Sequence, residues 1–232
     1  MLTALRRRTI LDGSGEYVLV QNLVTPSSKL EFHDLSLVTQ CSMVYLHYLI
    51  DLANAWKGPL SVAVFAQGNE FPRVIQMIAS LRRCSPAIAA NASFHLVAPV
   101  SVDFQQVPAL SGQSIPCADL RLPNGNLTSY NHPVPYPNNL LRNVARSSVR
   151  AQYFLVLDID LMPSAGLQEQ FIAFAKKRGL FGGKEKTVYV VPAFEADDHV
   201  PLPVKNKGEL LTWWKHGLVR PFYSKVCWKC QV

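Results

Sequence analysis

The chain has 232 residues, of which 49% are hydrophobic and 17% are charged. This length suits one sizeable domain or two small ones, and the apolar share is enough for a buried core, which excludes an intrinsically disordered chain. The formal net charge is +7, but the basic residues are scattered and form no stripe with interleaved aromatics, so nucleic acid is not an expected partner.

The first half of the chain alternates predicted strands and helices. Strands are predicted at Asp34–Gln40, Leu60–Ala66 and Ser93–Val100, where apolar residues alternate or run without a break. Two helices with apolar stripes at three- and four-residue steps lie between them. Ser42 caps the first helix, which ends at Gly58-Pro59, and Pro72 opens the second.

The second half begins with an irregular segment and then resumes the alternation. Residues 101–136 are rich in Pro, Ser, Asn and Gly, which predicts a long loop or a small insertion. The elements predicted after it are a helix from Pro137 to Arg150, a strand at Tyr153–Leu157, a helix from Leu167 closed by Gly179, a strand at Thr187–Val191, and a helix between Asn206 and Gly217.

Alternating strands and helices predict an α/β fold with a mostly parallel sheet flanked by helices. In such sheets the ligand binds beyond the carboxyl ends of the strands. Three polar segments fall at these ends, at residues 40–42, 66–68 and 158–160. We therefore expect Gln40 to contribute to a ligand site together with Asp158 and Asp160.

The cysteines indicate the secretory pathway. There are five, at Cys41, Cys84, Cys117, Cys227 and Cys230. The last two have the spacing of half a zinc site, but no second pair lies at a suitable spacing, so disulfides or buried thiols are the expected state. N-glycosylation sequons at Asn91 and Asn126 agree with that compartment.

No segment predicts a membrane anchor within this sequence. The basic first eight residues are not followed by the apolar region of a signal peptide. The longest uncharged stretch, residues 35–50, is too short and too polar to cross a bilayer.

Asp158 and Asp160 form the most informative motif. Side chains at positions i and i+2 of a strand face the same way, so the two carboxylates are expected to converge on one cation. An unpaired, partly buried pair of carboxylates is unfavourable, and a bound Mg²⁺ or Mn²⁺ relieves this. Such a cation can neutralise a nucleoside diphosphate as it leaves.

Two other interpretations of this motif exist. A strand of an α/β protein often ends in an Asp that caps a helix or binds a ribose. Phosphatases of the haloacid dehalogenase type also carry an Asp-x-Asp motif, with the first Asp as nucleophile. In those enzymes the motif follows the first strand, whereas three predicted strands come before Asp158, and Met162 stands where Thr or Val is usual.

Several blocks, in one order along the chain, resemble glycosyltransferase family 49. They are VTQCS at 38–42, WKGPLSVAVF at 56–65, YPNNLLRNVAR at 136–146, YFLVLDIDLMPS at 153–164, VPAFE at 191–195 and VRPFY at 219–223. The similarity extends from Asp12 to Gln231.

The resemblance implies a GT-A-type fold and a type II protein of the Golgi lumen. It implies transfer of glucuronic acid from UDP-glucuronic acid to a xylose-terminated glycan on a glycoprotein, with inversion, in the synthesis of the O-mannosyl glycan of dystroglycan. It also implies Mn²⁺ as cofactor, held by Asp158 and Asp160.

Further site residues are expected around this pair. Asn139, Arg142, Asn143 and Arg146 recur at helical spacing, so one face can present them to the donor's diphosphate or carboxylate. An exposed, solvated helix face is the alternative.

Glu195 follows a predicted strand and is the expected general base for the acceptor hydroxyl, with Asp197 and Asp198 as alternatives. His199 and His216 are weaker candidates for metal ligands. Three tryptophans can stack on a sugar ring or belong to the core, namely Trp213, Trp214 and Trp228.

The sequence also departs from the family pattern. The family's anchor lies before the region matched here, and its pattern continues past the Cys-x-x-Cys-Gln block. We therefore expect residues 1–232 to form a single GT-A-like domain that is the N-terminal, donor-binding part of such an enzyme. An inactive donor- or partner-binding fragment, assembled with a related glycosyltransferase, is the alternative function.

Overall fold

A computed structural model describes residues 9–102, 115–121, 134–183 and 186–227. The chain divides into two compact units, Met1–Leu161 and Met162–Val232. The prediction of a single domain over residues 1–232 stays a prediction, because compact units of this kind also occur within one domain.

The first unit is built on a six-stranded sheet with the order β1-β2-β5-β4-β3-β6. β3, β4, β5 and β6 are mutually parallel, β2 pairs antiparallel with β5, and β1 pairs antiparallel with β2. The strands are β1 (Thr9–Leu11), β2 (Tyr17–Val24), β3 (Leu35–Ser42), β4 (Leu60–Phe65), β5 (Ala92–Pro99) and β6 (Tyr153–Val156). The predicted α/β fold with a mostly parallel sheet is confirmed.

Among its described residues, this unit has four α-helices: α1 (Leu49–Trp56), α2 (Phe71–Cys84), α3 (Pro86–Asn91) and α4 (Asn138–Ser147). Two of the helix boundaries have clear local causes. Lys57 adopts a left-handed conformation (φ 58°) that ends α1, and Ser85 accepts a hydrogen bond from Ile88 N–H that caps α3. Three short 3₁₀ helices accompany them, at Met43–Tyr48, Gly68–Glu70 and Cys117–Arg121.

One cluster of the hydrophobic core forms where the sheet meets α4. Every residue of β3, β4 and β5 is buried, as expected for parallel strands covered on both faces. Leu141, Val144 and Ala145 of α4 pack in one cluster with Val38 and Phe65 of the sheet. The packing fixes α4 beside the carboxyl ends of the central strands.

A buried polar network ties four elements of this unit together. His95 of β5 has no exposed surface. Its Nδ1 accepts from Asn22 N–H at 2.9 Å, and its Nε2 lies 3.0 Å from Ser61 Oγ, which donates to Ala145 O at 2.6 Å. A bulge in β2, with Asn22 in the left-handed region (φ 50°), aims that N–H at the ring. The network requires a neutral imidazole that is protonated on Nε2.

The second unit contains two α-helices and a two-stranded antiparallel sheet. They are α5 (Leu167–Lys177), β7 (Phe194–Ala196), α6 (Lys207–Lys215) and β8 (Val219–Pro221). Asn206 Oδ1 accepts from Glu209 N–H at 3.0 Å, which confirms the predicted cap of α6. Gly179 and Gly217 adopt positive φ after the two helices, as their predicted role requires.

The predicted strand at Thr187–Val191 is wrong. Residues 186–193 form no strand, and the side chains of Val188 and Val190 are each 88% exposed. A run of β-branched residues favours extended backbone, but it does not supply a neighbouring strand for its hydrogen bonds. The strand forms slightly later, at β7, where β8 provides the partner.

Other differences concern elements that we did not predict. β1, α3 and β8 are short, whereas β2 has eight residues and lies between β1 and β5. The helix expected from Ser42 begins instead as the 3₁₀ turn that leads into α1. Of the irregular segment 101–136, residues 103–114 and 122–133 lie outside the described residues, as do Asn126, Trp228 and Cys230.

Cys84 and Cys117 form a disulfide that joins the end of α2 to the last 3₁₀ helix. Cys227 is also disulfide-bonded, and Cys41 is a buried free thiol. These states agree with the expected disulfides and buried thiols. In the described part of the chain, no helix combines the length and the hydrophobicity needed to cross a membrane.

Burial of His95 predicts a loss of stability in mild acid. Desolvation lowers the pKa of His95 from 6.5 to about 4. The unfolded chain therefore binds a proton first, and the free energy of unfolding falls as the pH drops from about 6.5 towards about 4, by up to about 3 kcal/mol. Urea denaturation of the wild type at about pH 7.5 and about pH 5 measures this loss.

The variant His95→Gln removes the titrating group and isolates its contribution. It should be less stable than the wild type near neutral pH, but lose less stability on acidification. The matched control is His33→Gln, which removes an exposed imidazole. Equal acid losses in the wild type and both variants would contradict the role of His95.

The Cys84–Cys117 disulfide should contribute strongly to stability, because it closes a loop with a sequence separation of 33 residues. Chain-entropy estimates give about 4 kcal/mol for a loop of this size. Denaturation of Cys84→Ser/Cys117→Ser measures the effect, and a reducing agent should destabilise the wild type far more than this variant. A variant as stable as the wild type would show that the crosslink does not constrain the unfolded chain.

Candidate active site

The site lies where the strand order of the parallel sheet reverses. From β3 the chain adds β4 and then β5 on one side, whereas β6 joins the opposite side of β3. In open α/β sheets, the crevice beyond the carboxyl ends of the strands at such a reversal is the usual ligand site. Residues 40–42 form the carboxyl end of β3, and residues 158–160 lie just after β6.

A cavity of about 380 Å³ occupies this position, within the first unit. The volume falls in the range of ligand pockets. Its walls come from the end of β3, the turn before α1, the start of α4 and the turn after β6. The lining residues are Gln40, Cys41, Ser42, Tyr45, Tyr136, Asn138, Arg142, Asp158, Ile159 and Asp160.

Both predicted metal ligands line the cavity, but they lie in a turn rather than on a strand. β6 ends at Val156, and Leu161 N–H donates to Asp158 O at 3.0 Å to close the turn. Ile159 is buried between the two acids. The turn therefore leaves both carboxylates at the cavity without the strand alternation from which we expected this, and their role as metal ligands stays a prediction.

Arg142 is paired with the first of these acids. Its Nη2 donates to Asp158 Oδ1 at 2.8 Å. Arg142 Nε is buried and has no hydrogen-bond partner among the described residues. Asp160, by contrast, forms no ion pair with any described residue. Two carboxylates and one guanidinium are the charged groups of the described lining, so a negative charge remains for a cation.

The two carboxylates fit a hard divalent cation. Oxygen ligands suit Mg²⁺ and Mn²⁺, and protein sites for Mg²⁺ commonly combine one or two carboxylates with water and substrate phosphates. Within the described ranges, no group of three or more His, Cys, Asp or Glu side chains has the arrangement of a metal site. Asp158 and Asp160 are the carboxylates at this cavity, among the described residues, that would hold such an ion.

Gln40 is fixed by its neighbours on the opposite wall. Tyr136 Oη donates a hydrogen bond to Gln40 Oε1, and Gln40 Nε2 donates to Asn138 Oδ1 at 3.4 Å. The ring of Tyr136 packs edge-on against the buried Phe65, with the centroids 5.4 Å apart. The sheet core thus sets the position of Tyr136, and Tyr136 sets the orientation of the Gln40 carboxamide.

The predicted polar face of α4 is only partly at the cavity. Arg142 lines it, whereas Asn139 and Asn143 are exposed and lie outside the lining. The Arg146 guanidinium is 5.1 Å from the centre of the Phe154 ring. The helix turns these residues away because Leu141, Val144 and Ala145 must face the core.

Sequence reasoning missed several lining residues, notably Asn138, Tyr136 and Tyr45. Asn138 is the first residue of α4, where its predecessor Pro137 marks a helix start. Because this helix start lies shortly before Arg142 in the sequence, it could have indicated that Asn138 also lies at the site. α4 has no side-chain N-cap, and the amino end of a helix favours an anion.

The predicted general base lies in the second unit. Glu195 of β7 accepts from Tyr223 N–H at 3.0 Å and from Arg220 Nε at 2.6 Å. The hydrogen bond from Tyr223, followed by that from Arg220, holds the pKa of Glu195 below its ordinary value. Both carboxylate oxygens are therefore engaged by donors that favour the ionised form.

An Asp–His pair lies close to Glu195 along the chain. Asp197 Oδ1 accepts from both the ring Nδ1 and the backbone N–H of His199. The hydrogen bond with Asp197 raises the pKa of His199, and the same bond lowers the pKa of Asp197. His216 Nδ1 contacts Thr212 O at 2.8 Å, at the end of α6.

The tryptophans of this unit differ in their surroundings. Trp214 is 42% exposed and packs edge-on against Phe194, with the ring centres 5.6 Å apart. The Nε1 of Trp213 is buried and has no hydrogen-bond partner in the described chain.

The contact between Gln40 and Tyr136 predicts energetic coupling between these residues. Tyr136→Phe keeps the ring on Phe65 but leaves the buried Gln40 Oε1 without its donor, which costs about 1 kcal/mol of unfolding free energy. A double-mutant cycle with Gln40→Leu should give a coupling energy of about 1 kcal/mol by denaturation. Tyr48→Phe, at an exposed tyrosine outside the cavity, is the control. Additive effects of Tyr136→Phe and Gln40→Leu would contradict the contact.

Comparison with known proteins places this cavity in a family context. A family model described as glycosyl-transferase for dystroglycan matches residues 34–232. β-1,4-glucuronyltransferase 1 of Danio rerio is 35% identical over 241 residues, which cover 96% of this chain and 55% of that protein. The same enzyme of Homo sapiens is 35% identical over 240 residues, covering 99% and 56%.

A second group of relatives is more distant. Xylosyl- and glucuronyltransferase LARGE2 of Homo sapiens is 29% identical over 192 residues, which cover 82% of this chain and 22% of that protein. The chain spans about half the length of the glucuronyltransferases that it matches. The family match includes both strands that form the cavity and both acids in its turn, and on these findings the chain belongs to glycosyltransferase family 49.

Proposed function

We propose that this protein is a metal-dependent glycosyltransferase that binds a UDP-sugar in the cavity between β3 and β6. The observation that carries the proposal is the convergence of Asp158, Asp160 and Arg142 on one cavity at the strand-order reversal. Carboxylates for a cation and a guanidinium for phosphate are the groups that a nucleoside diphosphate needs. Membership of the family and the names of the relatives support a sugar donor.

The donor that we propose is UDP-glucuronic acid, and the cation is Mn²⁺. Arg142 binds the diphosphate, while Gln40 and Asn138 offer carboxamide groups to the rest of the donor. When bound at Asp158 and Asp160, the cation supplies positive charge to the departing diphosphate. Asn139 and Asn143 are less suited to donor binding, because they lie outside the cavity lining.

The reaction that we propose is a single displacement with inversion. The acceptor hydroxyl of a xylose-terminated glycan forms a bond to the anomeric carbon as the bond from that carbon to the diphosphate breaks, and UDP leaves. The hydroxyl proton passes to a general base, for which we retain Glu195. Both carboxylate oxygens of Glu195 accept hydrogen bonds and its pKa is lowered, so Glu195 is ionised but is a weak base. Asp197 therefore stays an alternative.

The cellular setting that we propose is the Golgi lumen, in the synthesis of O-mannosyl glycans on a glycoprotein such as dystroglycan. The Cys84–Cys117 disulfide supports an oxidising compartment. The full-length form would be a type II membrane protein, and it would work alone or in an assembly with related glycosyltransferases. The family match favours this function over the phosphatase alternative, as does the position of Asp158 after the sixth strand.

Binding of UDP should depend on Mn²⁺ and on the two acids. Isothermal titration calorimetry of the whole chain should give binding with Mn²⁺ that is at least about tenfold weaker without it or in Asp158→Asn/Asp160→Asn, because the carboxylates hold the cation that contacts the phosphates. Asp51→Asn is the control, since Asp51 lies outside the cavity in an exposed ion pair with Arg121. A folded wild-type chain that does not bind UDP in Mn²⁺ would refute the donor site.

A second experiment distinguishes an active enzyme from an inactive fragment that only binds the donor or a partner. UDP-glucuronic acid should compete with UDP more effectively than UDP-glucose, and a β-xyloside acceptor should be converted in its presence. Donor binding without any transfer would favour the donor- or partner-binding fragment, because the cavity would then be intact while turnover is absent.

A further inference from the structure

The ion pair between Arg142 and Asp158 conflicts with the role proposed for each residue. A cation at the aspartate pair competes for the negative charge of Asp158 with Arg142, whose Nη2 donates to Oδ1 at 2.8 Å. A guanidinium at this distance also repels a divalent cation. The Nη2 that donates to Asp158 is, in turn, a donor that the diphosphate can use.

The pair has the properties of an exchangeable contact. The side chains of Arg142 and Asp158 are 39% and 48% exposed, and ion pairs with this exposure are weak. Arg142 also retains an unused donor, since its buried Nε has no partner among the described residues. A guanidinium that uses a single nitrogen on Asp158 can gain further hydrogen bonds from a bidentate phosphate.

The remainder of the site allows the exchange without a backbone movement. α4 is anchored in the core through Leu141, Val144 and Ala145, so only the side chain of Arg142 has to turn. Asp160 forms no ion pair with described residues and is exposed at the cavity, where it can make the first contact with an entering cation.

We infer that Arg142 is a displaceable internal competitor of the cation: it neutralises Asp158 in the empty cavity and moves to the donor's phosphates when a divalent cation takes its place. This inference rests on the proposed function and deepens it. The cation then has two effects on donor binding. It contacts the phosphates directly, and it releases Arg142 from Asp158. Cation and nucleotide binding are therefore coupled through one side chain.

The test measures the affinities for cation and nucleotide separately in Arg142→Met. Free Mn²⁺ is followed by electron paramagnetic resonance without nucleotide, and UDP binding is followed by calorimetry at saturating Mn²⁺. Arg142→Met should raise the affinity for Mn²⁺ about two- to fivefold, because the side chain that competes for Asp158 is gone. The same variant should lower the affinity for UDP about tenfold or more, because it loses a phosphate ligand.

Two further variants control this result. Arg146→Met removes the same charge one helical turn away, where the guanidinium lies over Phe154, and it should leave both affinities unchanged. Arg142→Lys keeps the charge but loses the planar fork, so both of its affinities should lie between those of the wild type and Arg142→Met. Circular dichroism establishes that each variant is folded.

The inference predicts that Arg142→Met changes the affinities for Mn²⁺ and UDP in opposite directions. Tighter Mn²⁺ together with weaker UDP in Arg142→Met supports the inference. If the wild type binds Mn²⁺ and UDP but Arg142→Met weakens both, or leaves Mn²⁺ binding unchanged, Arg142 only positions Asp158 or acts elsewhere, and the inference fails while the proposed function stands. Absence of Mn²⁺ binding by the wild type and by Arg142→Met overturns the metal site and this inference together.

Discussion

The parallel pairing of β3 with β6 is the constraint on which the site depends. The register joins Leu35 to Tyr153 and Val38 to Val156, and it places the turn after β6 beside the end of β3. Because β4 and β5 extend the sheet the other way, the segments that leave β3 and β6 diverge and a crevice remains. A shift of one residue would exchange the faces of β6 and turn its following acids away from Gln40.

The sequence of helix α4 determines both how the helix packs on the sheet and which of its polar side chains face the cavity. Its apolar residues bind the helix to the sheet, and this packing sets the direction in which Arg142 points. The same rotation carries Asn139 and Asn143 away from the cavity. A polar residue of an amphipathic helix is thus placed by its apolar neighbours, and a residue one position away can have a different environment.

The contact between His95 and Ser61 has a structural role, although a Ser–His pair is also found in catalytic sites. His95 and Ser61 are in hydrogen-bond contact, as in a hydrolase, but His95 is inaccessible and Ser61 donates to a backbone carbonyl. Each hydrogen bond satisfies a group that the parallel strands would otherwise bury unpaired. The network joins β2, β4, β5 and α4, and so it supports the scaffold that presents Arg142.

The sequence by itself determined the α/β class, most of the central strands, the caps of α6 and the position of two acids beyond the carboxyl end of a strand. These features have local causes: apolar runs fit buried strands, Asn206 accepts from a nearby backbone N–H, and Asp158 and Asp160 follow directly after a strand. Only the tertiary structure decided that 187–191 lacks a strand partner, that Arg142 rather than Asn139 faces the cavity, and that Tyr136 holds Gln40. Strand pairing, helix rotation and contacts such as that between Gln40 and Tyr136 join residues far apart in the chain, so no local pattern of residues contains them.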